Sequence, residues 1–128
     1  MAHEKNLVLV QEYEYDFAED GGATGVINLS AKANKATLPA GALRISSHVL
    51  VQTAFAGVSA SAKFGTTASD ADYAANAAIA SYSASAVFND TTAVYIGSTN
   101  DDCLLTISGA ALTAGKAKVL IEFVVPNS

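Results

Sequence analysis

Two histidines, one cysteine and twelve acidic side chains are what this 128-residue chain offers for catalysis or metal binding. A cysteine nucleophile needs an imidazole within hydrogen-bond reach, and Cys103 with His48 is the pair to weigh. Neither residue sits in a local signature for that chemistry. Cys103 opens the apolar run Cys103-Leu104-Leu105-Thr106-Ile107 and reads as a small buried hydrophobe. His48 lies in Ser46-Ser47-His48-Val49-Leu50 without a neighbouring ligand, and His3 lies in the N-terminal tail. The carboxylates group as Glu12, Glu14, Asp16, Glu19 and Asp20, then Asp70 and Asp72, then Asp101 and Asp102. Paired acids serve glycoside hydrolysis, and spaced acids hold calcium. No stretch has the spaced oxygen ligands of a calcium loop, which leaves only a site assembled between loops. Glu12 and Glu14 alternate as a solvated strand face does, and Asn100-Asp101-Asp102 reads as a turn. Glycine-rich phosphate loops and Gly-x-Ser-x-Gly are absent. Tryptophan is missing, so sugar platforms would fall to Tyr13, Tyr15, Tyr73, Tyr82 or Tyr95. The expectation is a noncatalytic protein with no catalytic, cofactor-binding or metal-binding residues and no cofactor.

Composition narrows the partner. Apolar residues make up 51% of the chain and charged ones 15%, which excludes a disordered chain. Seven basic residues, one of them arginine (Arg44), stand against twelve acidic ones, and the net charge of −5 argues against nucleic acid. The apolar run Leu7-Val8-Leu9-Val10 is far short of the ~20 residues of a membrane span, so no membrane partner is expected. Met1–Lys5 lacks the basic and apolar regions of a secretory signal, which points to synthesis in a cytoplasm.

The elements that position these residues follow from period. The chain holds 26 alanines, a helix signal by propensity, yet most fall in two-residue alternation. Val58, Ala60, Ala62 and Phe64 alternate with polar residues, as do Tyr82, Ala84, Ala86 and Phe88. Ala117, Val119, Ile121, Phe123 and Val125 share one face near the end. Strands are expected near Leu7–Phe17, Thr24–Ser30, Leu43–Phe55, Val58–Phe64, Ser83–Phe88, Ala93–Ile96, Leu104–Ser108 and Lys116–Val125. Ser69–Ala80 departs from this: Ser69 and Asp72 resemble a capping box ahead of an alanine run, so one short helix is expected around 70–80. The sum is an all-β, antiparallel β-sandwich of eight or nine strands, jelly-roll-like, with an immunoglobulin-like sandwich as the alternative. Residues 1–128 form one domain in this reading, with an N-terminal arm over about 1–6. So much alanine implies a thin core. Val8, Val10, Leu50, Leu120 and Val124 fall on outward faces, which implies an oligomer or a large partner.

Several segments together resemble a known family. They are Leu38-Pro39-Ala40-Gly41-Ala42-Leu43, Val51-Gln52-Thr53-Ala54-Phe55-Ala56-Gly57, Phe64-Gly65-Thr66, the Asp70–Ala74 stretch, and Leu112-Thr113-Ala114-Gly115-Lys116 before Val119–Val125. Across about 36–125 the chain resembles capsid decoration (cement) and head-fibre-like structural proteins of tailed bacteriophages. The resemblance implies a sandwich subunit that forms homotrimers on the capsid surface of the virion, after synthesis in the host bacterial cytoplasm. It would bridge neighbouring subunits of the major capsid protein and stabilise the shell. The alternative is a carbohydrate- or receptor-binding module of a phage head or tail fibre. Candidate interface residues are Glu4, Lys5 and Asn6 of the arm, Tyr13 and Tyr15, and Arg44. The bland alternatives are an arm without ordered contacts and tyrosines that fill the core.

Overall fold

The last strand sets the pattern for the whole molecule. In the computed structural model, which describes residues 8–32, 37–96 and 101–125, β9 (Ala114–Val124) alternates without a break. Gly115, Ala117, Val119, Ile121 and Phe123 are buried, and the residues between them are half-buried. A strand patterned this way covers a core with one face and leaves the other for solvent or a neighbour. It lies between β1 (Val8–Asp16) and β3 (Leu43–Ala56), antiparallel to both. β6 (Val87–Asp90) and β7 (Val94–Tyr95) pair with successive parts of β3 and complete a five-stranded sheet. A four-stranded sheet of β2 (Gly25–Asn28), β8 (Leu104–Ser108), β4 (Ser61–Gly65) and β5 (Ala74–Ala78) packs against it in the order given.

The pairing is nested. β1 pairs β9, β2 pairs β8, β3 pairs β6 and β7, and β4 pairs β5. One long antiparallel hairpin folded over on itself yields this set, with β9 then meeting β3 and β8 meeting β4. That is the jelly roll. The immunoglobulin-like alternative is excluded, because its first strand does not pair its last.

Two local expectations are corrected. Residues 70–80 do not form a helix: a turn leads into β5, and Ile79–Ser81 make one 3-10 turn. The carboxylate of Asp72, needed for a capping box, is taken by Arg44, and Tyr73 is drawn into the core, where its hydroxyl donates to the Asp102 carbonyl. Alanine propensity is then outweighed by the open edge of β4. Gly65 permits the turn, since a Cβ there would lie 2.3 Å from the Ser69 carbonyl oxygen. The α-helical turn among the described residues is α1 (Phe17–Asp20), N-capped by the Asp16 carboxylate 3.0 Å from the Ala18 N–H. The strand expected over Ser83–Phe88 starts only at Val87, because Ser85 adopts φ 70° in a turn.

The core is also not the thin alanine core expected. Five buried alanines (Ala42, Ala60, Ala62, Ala74, Ala117) line it, while tyrosines and phenylalanines fill it. Phe55 stacks on Tyr82 at 4.9 Å between ring centres, Tyr82 stacks on Phe88 at 4.6 Å, and Tyr15 meets Phe55 edge-on at 5.5 Å. The Tyr82 hydroxyl donates to the Ala62 carbonyl, and that of Tyr15 to the Gly21 carbonyl. Most of the remaining alanine lies on the surface and keeps it short of charge. Phe55 also meets Phe64 of β4 in the other sheet at 6.4 Å, so Phe55→Ala is expected to cost about 3–5 kcal/mol in urea unfolding. A loss below about 1 kcal/mol would show that the stack carries little of the fold.

Candidate functional site

The outer face of the five-stranded sheet carries a set of apolar groups in register, while Val26 and Val58 are exposed elsewhere. Val8 of β1 lies opposite Val124 of β9, Val124 opposite Leu43 of β3, and Leu43 opposite Tyr95 of β7. These four side chains form a row across the sheet at one end. Val8 is 56% exposed and Tyr95 68%, and the adjoining Val10 is 60% exposed. Leu9 and Val125 extend the same end with further exposed apolar surface. An apolar row of this kind is a candidate interaction surface.

Further along the face the chemistry turns polar. Glu12, Leu120, His48 and Asn89 form one cross-strand row, and Glu14, Lys118, Leu50 and Val87 another. Lys118 Nζ sits 3.5 Å from Glu12 Oε2. His48, Ser46 and Glu122 lie together here, but not as a hydrolytic triad. His48 Nδ1 faces Asn89 Oδ1 at 2.6 Å, which assigns its proton to that nitrogen. Nε2 lies 3.4 Å from Ser46 Oγ and 3.6 Å from Glu122 Oε1, and the serine hydroxyl donates to that carboxylate at 2.5 Å. A triad needs the acid on the nitrogen remote from the serine, with the serine proton aimed at the imidazole. This cluster is a surface polar network.

Arg44 sits inside. It faces the core opposite Phe123, with its guanidinium 4.9 Å from the centre of the Tyr73 ring. Nη1 donates to Asp101 Oδ2 at 2.8 Å, and Nη2 donates to Asp72 Oδ2. Burial opposes the charge, yet Tyr73, Asp72 and Asp101 together hold the guanidinium pKa above its ordinary value. Desolvation pushes the Asp101 carboxyl above the usual range despite the pull of Arg44. The hub ties β3 to the turn before β5 and to the segment before β8, where Asp101 also bridges Leu38.

The residues singled out from sequence are therefore dispersed. Glu4, Lys5 and Asn6 lie outside the described residues. Tyr13 and Tyr15 are fully buried, so their rings face the sandwich interior and not a partner. Alternation with Glu12, Glu14 and Asp16, which take the outer face, forces that orientation. Arg44 is corrected from interface anchor to internal hub, because two carboxylates of its own chain claim it. Cys103 is buried in the core while His48 is on the outer face of β3, so the two do not meet. Burial, reinforced by Asp102, pushes the Cys103 thiol well above its ordinary pKa, leaving it unreactive. Among the described residues no three His, Cys, Asp or Glu side chains converge on a metal position, and no helix is long and apolar enough to cross a membrane. Tyr13, Tyr15, Tyr73 and Tyr82 are buried, so Tyr95 is the tyrosine left with its ring in solvent. Sequence reasoning missed Leu43 and Tyr95 as surface groups. The available signal was the alternation around Tyr95, which puts Ile96 inward.

Whole-chain comparison gives a fold likeness at low identity. No family model and no curated protein matches the chain. A chain of the cyanophage Pam1 capsid asymmetric unit superposes with a TM-score of 0.65 at 19% identity, covering 98% of this chain and 91% of that one. A chain of the acid-stable capsid of Helicobacter pylori bacteriophage KHP30 matches with a TM-score of 0.65 at 17% identity, over 94% and 90%. One from the capsid of Ralstonia phage GP4 matches with a TM-score of 0.60 at 16% identity, over 100% and 90%. At these identities the likeness establishes a shared fold.

Two outcomes test the internal assignments. Arg44→Ala strands two carboxylates and is expected to cost about 3 kcal/mol in urea unfolding, the low end for a broken buried pair because water reaches both acids. An unchanged midpoint would remove Arg44 as the hub. Burial, with Asp20 and Asp16 nearby, pushes the Tyr15 phenol from 10.0 up to about 12. The stability this confers is complete below pH 10 and lost as pH rises to about 12. Tyrosinate absorbance is therefore expected to show the buried tyrosines ionising together with alkaline unfolding. Ionisation of Tyr15 near its ordinary value of 10.0 in folded protein would contradict the burial.

Proposed function

We propose that the chain is a noncatalytic structural protein of a tailed-bacteriophage virion, a decoration or cement protein that bridges neighbouring major capsid protein subunits on the capsid surface. The observation that carries this reading is the end-to-end likeness in fold to chains of three phage capsid structures. The apolar row of the outer face supports it independently. In the proposed assembly Val8, Val10, Leu43, Val124 and Tyr95 are buried against the shell, and the subunit acts as a homotrimer. Glu4, Lys5 and Asn6, which precede β1 in the sequence, are proposed as further contact residues. Affinity at one site need not be high, since three linked subunits raise the effective concentration of each contact.

The test is binding to empty shells of the matching phage that lack this protein. The wild-type chain is expected to elute as a trimer by light scattering and to co-sediment with the shells. Val10→Asp combined with Tyr95→Asp places two charges on the row, and is expected to weaken co-sedimentation about tenfold or more while leaving the unfolding midpoint within about 0.5 kcal/mol. A monomer that ignores the shells would overturn the proposal. Full binding by the double variant would remove the apolar row from it.

A further inference from the structure

Among the sheet edges, that of β5 is the least guarded. β1 carries Glu12, Glu14 and Asp16, and β2 and β6 are four residues long. β5 reads Ala74-Ala75-Asn76-Ala77-Ala78, without charge or proline, and pairs with β4 along one side. Folded proteins ordinarily protect such an edge with charge, proline or a covering segment. Ile79 donates its N–H to the Ala60 carbonyl at 3.2 Å on the β4 side. By ladder alternation Ala77 faces β4 as well, and the N–H and C=O of Ala78 between them point away from it, ahead of a bulge opposite Lys63.

A cleft of about 470 Å³ opens beside this edge, between β5 and the edge strand β6 of the opposite sheet. Asp72, Tyr73 and Ala74 form one wall, and Phe88, Asn89 and Asp90 the other. Two carboxylates line it and no basic side chain does. Arg44 engages Asp72 through Oδ2, and the Thr92 N–H engages Asp90 through Oδ1, so each keeps an oxygen for a cation.

We infer that this edge and cleft take an extended basic segment of a partner protein by strand addition: the incoming backbone pairs with β5, and a lysine or arginine side chain enters between Asp72 and Asp90. Strand addition draws affinity from main-chain hydrogen bonds and specificity from pockets for alternate side chains, and both parts are present here. A second copy fits less well, because β5 itself brings no cation to the acidic cleft. The site lies on the sandwich edge, apart from the apolar row, and does not depend on the shell reading.

The test uses the full chain, isotope-labelled, titrated with a capped Thr-Lys-Val-Lys-Val-Thr peptide. Two controls replace lysine by glutamate or N-methylate alternate amides of the lysine peptide. The lysine peptide is expected to shift the amides along β5 and to slow exchange of the Ala78 amide. The glutamate peptide should bind about tenfold more weakly or worse, and the N-methylated peptide should leave β5 unprotected. Ala78→Pro, which removes an outward N–H at a residue whose φ of −65° suits proline, should abolish the response. The N-methylated control keeps the test decisive should that variant fail to fold. Absence of β5 shifts, or equal binding by either control peptide, would overturn the inference. So would β5 protection that rises with protein concentration without peptide, which would name a second copy as the occupant.

Discussion

The pairing of the first strand with the last is the constraint on which the rest of this structure depends. β9 is shared between β1 and β3, and its alternation decides which side chains of all three face inward. A slip of one residue would turn Tyr13, Tyr15, Val49 and Val119 out and bring glutamates and lysines in. Register is therefore fixed by burial over nine consecutive pairs between β1 and β9. With the termini of the fold joined this way, the nested hairpin closes. The apolar row of the outer face exists because Val8, Val124, Leu43 and Tyr95 inherit the same register.

Inside the sandwich one charged group is kept where an apolar one would be simpler. Arg44 loses its hydration and regains it from Asp72, Asp101 and the Tyr73 ring. Such a pair adds little net stability over a hydrophobic substitute, but it is costly to break. Its value here is positional. It fixes the turn ahead of β5 and the segment ahead of β8, and so shapes the cleft wall formed by Asp72 and Tyr73. The same arginine thus explains a missing helix and an edge strand presented to solvent.

The architecture was legible because two-residue periodicity survives in β1, β3, β8 and β9, where one face is buried and the other is not. The jelly-roll order was the expectation, but periodicity could not separate it from the immunoglobulin-like order, since pairing between strands a hundred residues apart leaves no trace in local pattern. The 70–80 segment misled because helix propensity and a capping-box spacing are local, whereas the partner that claims Asp72 lies on β3. Alanine misled about the core for a related reason: alternation marks a face without saying which face is inside. Of the candidate site, the outward valines Val8, Val10 and Val124 were visible as apolar residues out of phase. Leu43 and Tyr95 were not, because only the sheet register joins them to that row. Tyr13, Tyr15 and Arg44 were chosen by residue type, and type alone does not report burial.

The central claim is that a jelly-roll subunit with an apolar outer row is built to be completed by a viral shell. An electron-microscopy map of the assembled particle tests this most directly. The account predicts density for the chain on the outside of the capsid where shell subunits meet, with Val8, Val10, Leu43, Val124 and Tyr95 turned toward a neighbouring protein. Density confined to a tail or fibre, or a shell-bound subunit with that row facing solvent, would contradict it.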